Sequence, residues 1–245
     1  MRYKMIFSYD GSSFYGYERQ PKLKTVQGSI EEILTDINNN KKVTISSSGR
    51  TDKGVHALQQ VAHFDLDVNV SLYGLKKALN KRLEGNVYIK SIEPINNDFH
   101  ARYDVLDKTY VYCINTNDYD VFKRNYVYQY NKELDVDKMR DAINCFLGEH
   151  DFRSFCKDEK VKDNCVRCIK NVSLDVYQDI IEIRFTADGF LRKMVRNMVG
   201  VLVEIGCGKK DKKYIDFLLN SCGSIKCGKG VPGCGLYLEN INYKE

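Results

Sequence analysis

The segment that decides this fold reads Ser48-Gly49-Arg50-Thr51-Asp52-Lys53-Gly54-Val55-His56. It lies between residues 43–47 and residues 60–65, two runs of strand-forming type, so it is predicted to be a loop that joins two β-strands. Within this loop a single carboxylate, Asp52, stands between the cations Arg50 and Lys53, and nearby opposite charge favours its ionised form. Such a carboxylate suits a nucleophile or base that must be charged at neutral pH. The alternative is an ordinary turn with a solvated aspartate.

Outward from this loop, strands outnumber helices. Helices are predicted where apolar residues recur every three or four positions. Three of them follow the capping residues Thr25, Ser71 and Asp135, and two more cover residues 190–205 and 211–220. Strand-like runs are predicted at residues 3–9, 43–47, 60–65, 87–93, 109–115, 169–177, 180–187 and 236–243, and the runs at 169–177 and 180–187 are predicted to form a hairpin that turns at Gln178-Asp179. Adjacent strands outnumber single strand–helix–strand steps, which indicates an α+β class with largely antiparallel sheets flanked by helices.

The chain of 245 residues can form one large domain or two modest ones. The apolar periodicity weakens around residues 115–133, where Asp and Asn become frequent, and such a stretch is a candidate crossing between two halves. The sequence therefore predicts an N-terminal α+β subdomain over residues 1–115, which carries the Asp52 loop. It predicts a C-terminal α+β subdomain over residues 116–245.

The charge and hydropathy of the chain indicate which partners and which cellular location to expect. The net charge is +5 and the pI is about 8.6, which is compatible with a polyanionic partner without requiring one. No run approaches the roughly 18 apolar residues that span a bilayer. The N-terminus also lacks the apolar region of a secretory signal. A cytoplasmic protein without membrane attachment is therefore expected.

The nine cysteines are an odd number and favour free thiols in a reducing compartment. Cys165 and Cys168 form a C-x-x-C pair, and Cys222 and Cys227 could supply a second pair for structural zinc. The second spacing is looser than in typical zinc sites, so no metal site is predicted and zinc stays the weaker alternative. The four histidines lack the helical two-His spacing of a metal site, so no catalytic histidine is assigned.

The loop at residues 49–57, read together with the strand at residues 60–65, resembles the first signature of the tRNA pseudouridine synthase A (TruA) family. Four more segments are similar to motifs of that family and occur in its order. They are Phe99-His100-Ala101-Arg102 with Lys108-Thr109-Tyr110-Val111-Tyr112, then His150-Asp151-Phe152-Arg153-Ser154-Phe155, then Phe190-Leu191-Arg192-Lys193-Met194-Val195-Arg196-Asn197-Met198-Val199-Gly200, and finally Pro232-Gly233-Cys234-Gly235-Leu236-Tyr237-Leu238. The resemblance spans nearly the whole chain, and five motifs in order make it specific.

This resemblance implies a pseudouridine synthase fold, with two similar subdomains and an active-site cleft between them. It implies an isomerase that converts uridine to pseudouridine in the anticodon stem-loop of tRNA, at nucleotides 38, 39 and 40, without a metal or organic cofactor. It also implies a homodimer, because one tRNA reaches across both subunits of family members.

By position, the resemblance assigns roles to four residues. Asp52 matches the catalytic aspartate, and Arg50 matches the arginine that pairs with it and helps to fill the space left by the flipped nucleotide. Tyr110 matches the aromatic residue that stacks near the target base. Arg196 lies in the helix that lines the cleft of the family.

Two departures from the family pattern add positive charge. Lys53 stands where the family commonly has a small residue, and Arg192 and Lys193 stand where histidine or a neutral residue is common. All three are expected to bind substrate through phosphate contacts, and extra contacts of this kind could shift which stem is gripped. A paralogue with a shifted RNA target therefore stays open. So does a non-catalytic RNA-binding or chaperone protein, although the presence of both Asp52 and Arg50 speaks against it.

Overall fold

A computed structural model describes residues 1–157 and 164–244 of the chain. Its strands are β1 (Arg2–Tyr9), β2 (Ser46–Ser47), β3 (His56–Asp65), β4 (Val87–Pro94), β5 (Val105–Asn115), β6 (Tyr128–Gln129), β7 (Gly148–Asp151), β8 (Val166–Tyr177), β9 (Ile180–Ala187) and β10 (Leu236–Tyr243). Its α-helices are α1 (Val26–Ile37), α2 (Leu72–Arg82), α3 (Val136–Ile143), α4 (Met194–Gly206) and α5 (Lys213–Asn220). Most strand pairs are antiparallel, which confirms the predicted α+β class. Within the described residues, no helix combines the length and apolar character needed to cross a membrane.

The first compact unit consists of Met1–Leu106 and Tyr237–Glu245. Its strands follow the order β4-β1-β3-β10, and β2 pairs with β3. Strand β1 is antiparallel to both β3 and β4, whereas β10 is parallel to β3. Every second side chain of β1 is buried, as expected for a strand with one face on the core. The loop that carries Asp52 joins β2 to β3, and β2 pairs with β3 at Ser46–His63 and Ser47–Ala62.

The second compact unit consists of Asp107–Leu236. Its strands follow the order β5-β9-β8-β7, all antiparallel to their neighbours, and the short β6 is parallel to β5. Helix α3 packs against α4 and β8. Four buried phenylalanines whose rings contact one another form the centre of its core: Phe146, Phe152, Phe155 and Phe185.

The two units divide the chain differently from the predicted boundary between residues 115 and 116. Most of β5 lies in the second unit, because the strand pairs with β9 from Lys108 to Asn115. The closing strand β10 returns to the first unit, where Tyr237 pairs with His56 of β3. A parallel pairing between residues so distant in sequence leaves no local sequence pattern. The change in composition around residues 115–133 therefore coincides with neither boundary between the two units.

Three helix starts form as predicted, because a short polar side chain accepts a hydrogen bond from a backbone N–H of the first turn. These bonds join Thr25 to Gly28 at 3.3 Å, Ser71 to Gly74 at 3.1 Å and Asp135 to Lys138 at 3.0 Å. The predicted hairpin over residues 169–187 is also confirmed, and β8 and β9 turn at Gln178 and Asp179.

Candidate active site

Asp52 lies in the turn that leads into β3 and is partly exposed. The turn closes through a hydrogen bond from the Val55 N–H to the carbonyl oxygen of Asp52 at 3.2 Å. Gly54 takes a φ of +78° in this turn, a backbone conformation that glycine adopts without a steric penalty. The carboxylate therefore stands on a tight turn at the start of a strand, where loops on a rigid scaffold commonly carry function.

The N-terminal side of the Asp52 loop is anchored to β3 by the buried amide of Gln60. The Gln60 Nε2 donates to the Gly49 carbonyl at 3.0 Å, and its Oε1 accepts from the Ser48 hydroxyl at 2.6 Å. Both Gln60 and Ser48 are almost fully buried. Buried polar groups that are fully paired fix a single local geometry, because breaking one bond leaves an unsatisfied group.

The middle of the loop is anchored to the chain that follows β1. The Tyr17 N–H donates to the carbonyl oxygen of Thr51 at 3.1 Å. The hydroxyls of Tyr9 and Thr51 lie 2.9 Å apart and share a hydrogen bond. Burial raises the pKa of Tyr9 to about 12, so its hydroxyl keeps its proton at neutral pH. Thr51, the residue before Asp52, is thus held through both its backbone and its side chain.

His56, the first residue of β3, anchors the far end of the loop. Its Nδ1 accepts a hydrogen bond from the Gly11 N–H at 3.1 Å, and its ring stacks on Tyr237 with 4.6 Å between centroids. The ring is buried. Its Nδ1 also lies 3.2 Å from Oδ1 of Asp10, so the imidazole is held by the chain that follows β1 and serves as a structural residue of the loop.

The two cations of the loop have partners that the sequence did not indicate. Arg50 forms an ion pair with Glu18, with 2.9 Å between Nη1 and Oε1. Lys53 places its Nζ 4.2 Å from the ring centroid of Tyr15, within the range of a cation–π interaction. Tyr15 is 50% exposed, and Arg50 and Lys53 are both exposed. The structure therefore adds Tyr15 and Glu18 to the surroundings of Asp52.

The remaining predicted site residues belong to the second unit. Tyr110 lies in β5, is largely buried and meets Phe190 edge to face, with 5.1 Å between ring centroids and an interplanar angle of 84°. Its ring packs in the manner of a core residue while keeping a small exposed fraction. This packing fits a core residue of the sheet as well as it fits the stacking role that the family resemblance implies.

Arg196 lies in the first turn of α4. Its Nε donates to the carbonyl oxygen of Val231 at 2.8 Å, and the Val231 N–H donates back to the Arg196 carbonyl at 3.1 Å. This reciprocal pair fixes the plane of the guanidinium, because the fork geometry of arginine follows from the direction of its Nε–H.

The prediction that the α4 helix begins at Phe190 was wrong. Lys193 adopts a left-handed backbone with a φ of +62°, and α4 starts at Met194. A turn precedes it, in which the Met194 N–H donates to Leu191 at 3.0 Å. Apolar spacing continues through this turn and cannot mark the break. Arg192 and Lys193 therefore lie on a turn before the helix.

Two groups of predicted site residues result. Asp52, Arg50 and Lys53 share one loop of the first unit, whereas Tyr110, Arg192, Lys193 and Arg196 belong to the second. All nine cysteines are free thiols. Among residues 1–157 and 164–244, no group of three or more His, Cys, Asp or Glu side chains could hold a metal ion.

The chain matches a known protein family along most of its length. A family model described as tRNA pseudouridine synthase matches residues 5–104 and 142–244, ranges that include Asp52 and Arg196 and leave Tyr110 between them. A solved structure of a Cbf5-Nop10-Gar1 complex is similar with a TM-score of 0.35 and 13% identity, over 82% of this chain and 45% of that chain.

Curated relatives are similar from end to end. A tRNA pseudouridine synthase A of a Geobacillus species is 40% identical, over 99% of this chain and 98% of the relative. A tRNA pseudouridine synthase A 1 of Bacillus cereus is 42% identical over 100% and 99%. A tRNA pseudouridine synthase A of Oceanobacillus iheyensis is 41% identical over 100% and 97%. Similarity of this extent, together with the matched family model, shows that this chain belongs to the tRNA pseudouridine synthase A family.

Proposed function

We propose that this protein isomerises uridine to pseudouridine in tRNA and that Asp52 is its catalytic carboxylate. The observation that carries the proposal is a single acidic side chain on a loop that is held by the backbone of Gly49 and Thr51 and by the side chain of His56. A catalytic group needs such a fixed starting position, because orientation supplies a large part of the rate enhancement.

The reaction matches the residue types of this loop. Pseudouridine formation breaks the C1′–N1 bond, rotates the uracil and rejoins it to the ribose through C5, while the C5 proton is lost to solvent and N1 takes up a proton. No group is lost from the nucleotide apart from that exchanged proton, and no electrons are transferred, so the atoms balance without a cofactor. The Asp52 carboxylate can attack C6 of the ring, or it can assist departure of uracil at C1′ and then remove the C5 proton. Both routes use the same ionised side chain.

The target nucleotide must leave its stack before either route can begin. We assign Arg50 to the space vacated by that nucleotide and Tyr110 to stacking near the extruded base. Lys53, Arg192, Lys193 and Arg196 bind phosphates of the RNA, which offsets the cost of extrusion. The exposure of Arg50, Lys53 and Arg192 supports these roles, since phosphate contacts need side chains that reach solvent.

The substrate we propose is the anticodon stem-loop at nucleotides 38, 39 and 40, with a cytoplasmic homodimer as the active form. The family resemblance of the motifs supports this target, and the basic pI of about 8.6 is compatible with it.

Pseudouridine mapping of bulk tRNA tests the proposed target. Cells that lack the protein are compared with cells that express it and with cells that express the Asp52→Asn variant. We expect pseudouridine at nucleotides 38–40 only in cells with the unchanged protein. If cells without the active protein instead lack pseudouridine at other tRNA positions, the protein modifies a different site from the one proposed. An unchanged tRNA pattern in all three strains would contradict the proposed activity.

A further inference from the structure

The backbone of the Asp52 loop rests directly on Gly16. Gly16 has a φ of +104°, which L side chains rarely adopt. A β-carbon placed on Gly16 would lie 3.3 Å from the carbonyl oxygen of Thr51, 3.4 Å from the nitrogen of Lys53 and 3.6 Å from the carbonyl carbon of Asp52. All three atoms belong to the main chain on either side of the Asp52 side chain, so no flexible side chain separates the two segments.

A second glycine of the same segment meets the other end of the loop. A β-carbon on Gly11 would lie only 2.0 Å from the carbonyl oxygen of Val55. Between these two points, the Tyr17 N–H binds the Thr51 carbonyl at 3.1 Å. Residues 11–17, which we call the glycine seat, therefore touch the loop at Thr51, Asp52, Lys53 and Val55.

We propose that Gly16 is a positioning residue for Asp52. Because Gly16 has no side chain, the backbone of Asp52 packs directly against the glycine seat, and this packing fixes the position of the Asp52 carboxylate. This inference deepens the proposed function and rests on it. A group displaced by about 1 Å can lose on the order of a hundredfold in rate, so small shifts of this peptide matter for turnover. Substrate affinity should change less than turnover, because Lys53 is the one phosphate-binding residue assigned to this loop and Arg192, Lys193 and Arg196 belong to other segments.

The distances make Gly16 a more informative site than Gly11. A contact at 2.0 Å requires a large rearrangement, and a Gly11→Ala chain could fail to fold. The contacts at Gly16 lie between 3.3 and 3.6 Å, so an alanine there moves the loop by a few tenths of an ångström and leaves the core in place.

The test compares Gly16→Ala with Gly85→Ala. Gly85 belongs to the same unit and also has a positive φ, +76°, but a β-carbon there meets nothing within 4 Å. Both variants therefore strain a positive-φ position, and only one touches the Asp52 loop. The measurements are kcat and KM for tRNA by tritium release from uridine-labelled substrate, together with the thermal unfolding midpoint.

We expect Gly16→Ala to lower kcat about tenfold or more, with KM within about threefold of the unchanged protein. Gly85→Ala should keep both constants within about twofold. If both variants fold and their kcat values agree within about threefold, the inference is overturned. A loss that appears only in KM also overturns it.

A second pair of variants keeps the inference testable if Gly16→Ala does not fold. Tyr9→Phe removes the hydroxyl that is bonded to Thr51, next to Asp52, at 2.9 Å. Tyr243→Phe removes a hydroxyl that donates to the Ala101 carbonyl at 2.7 Å in the same unit. We expect kcat to fall about threefold or more in Tyr9→Phe alone, because each change costs a similar hydrogen bond but only one holds the loop. Equal kcat values in the two variants overturn the inference.

The Asp52→Asn variant separates this inference from the proposed function. If Asp52→Asn retains turnover, the proposed function fails whatever the glycine variants do. If Asp52→Asn is inactive and Gly16→Ala turns over as fast as Gly85→Ala, only the positioning role of Gly16 fails.

Discussion

Glu18 holds the guanidinium of Arg50 at 2.9 Å, and the two side chains are 52% and 63% exposed. An exposed ion pair of this kind contributes only about 0–1 kcal/mol to stability. Arg50 can therefore leave Glu18 to bind an RNA phosphate or to fill the gap left by an extruded nucleotide. Under the proposed function, Glu18 is expected to oppose RNA binding at the loop that carries Asp52, because its charge repels phosphate and occupies Arg50.

Replacing Glu18 with Gln should strengthen tRNA binding. We expect KM for tRNA to fall about two- to threefold, because the arginine is released and a repulsive charge is removed. The control is Glu93→Gln, which removes an equally exposed carboxylate, also 52%, from an ion pair with Lys4 in the same unit. If KM falls equally in both variants, the effect comes from the change in net charge and not from the release of Arg50.

Lys53 lies over the Tyr15 ring and is expected to bind a phosphate of the substrate. Lys53→Ala should weaken tRNA binding and reduce the slope of log affinity against log salt by about 1. The matched control is Lys76→Ala, which removes a lysine 6.0 Å from the ring centroid of Tyr88 and changes the net charge equally. Salt titrations of tRNA binding measure both slopes. If the two variants lose the same slope, Lys53 has no special place in the interface.

The basic residues around the start of α4 make a larger electrostatic prediction. Replacing Arg192, Lys193 and Arg196 together with Ala should reduce the salt slope of tRNA binding by about 2. The control replaces three lysines of the same unit, Lys209, Lys210 and Lys213, and should leave the slope within about 0.5 of the unchanged protein. An unchanged slope in the first triple variant would exclude those side chains from the phosphate interface.

The lowered pKa of His63 predicts that the protein loses stability in mild acid. Burial lowers the pKa of His63 from 6.5 to about 4, with Arg2 and His100 adding to the shift, and its Nδ1 accepts the Ala101 N–H at 3.0 Å. Between these two values the unfolded chain binds a proton that the folded chain refuses, so stability falls as pH drops from 6.5 towards 4. The free energy of unfolding, measured by urea titration over that range, should fall less in His63→Gln. Parallel curves for the two proteins would contradict this source of acid sensitivity.

Sequence reasoning succeeded where the signal is local. The caps at Thr25, Ser71 and Asp135 depend on residues three positions away, and the hairpin at Gln178 depends on adjacent strands. It failed at Lys193, because a single left-handed residue delays the start of the helix to Met194 without interrupting the apolar pattern.

The surroundings of Asp52 were only half predictable for the same reason. The loop itself is continuous in sequence, so its acid and its two cations could be identified together. Tyr15, Gly16 and Glu18 reach the loop only through the return of the chain after β1, more than thirty residues earlier. No periodic pattern links such positions, and only the folded backbone brings them together.

Tritium release by Asp52→Asn tests the central claim most directly. Uridine labelled at C5 loses its tritium to water whenever the uracil is rejoined to the ribose through C5. We predict that the variant binds tRNA within about threefold of the unchanged protein and releases tritium at least about a thousandfold more slowly, because only the ionised carboxylate is lost. Tritium release at the rate of the unchanged protein would contradict the account.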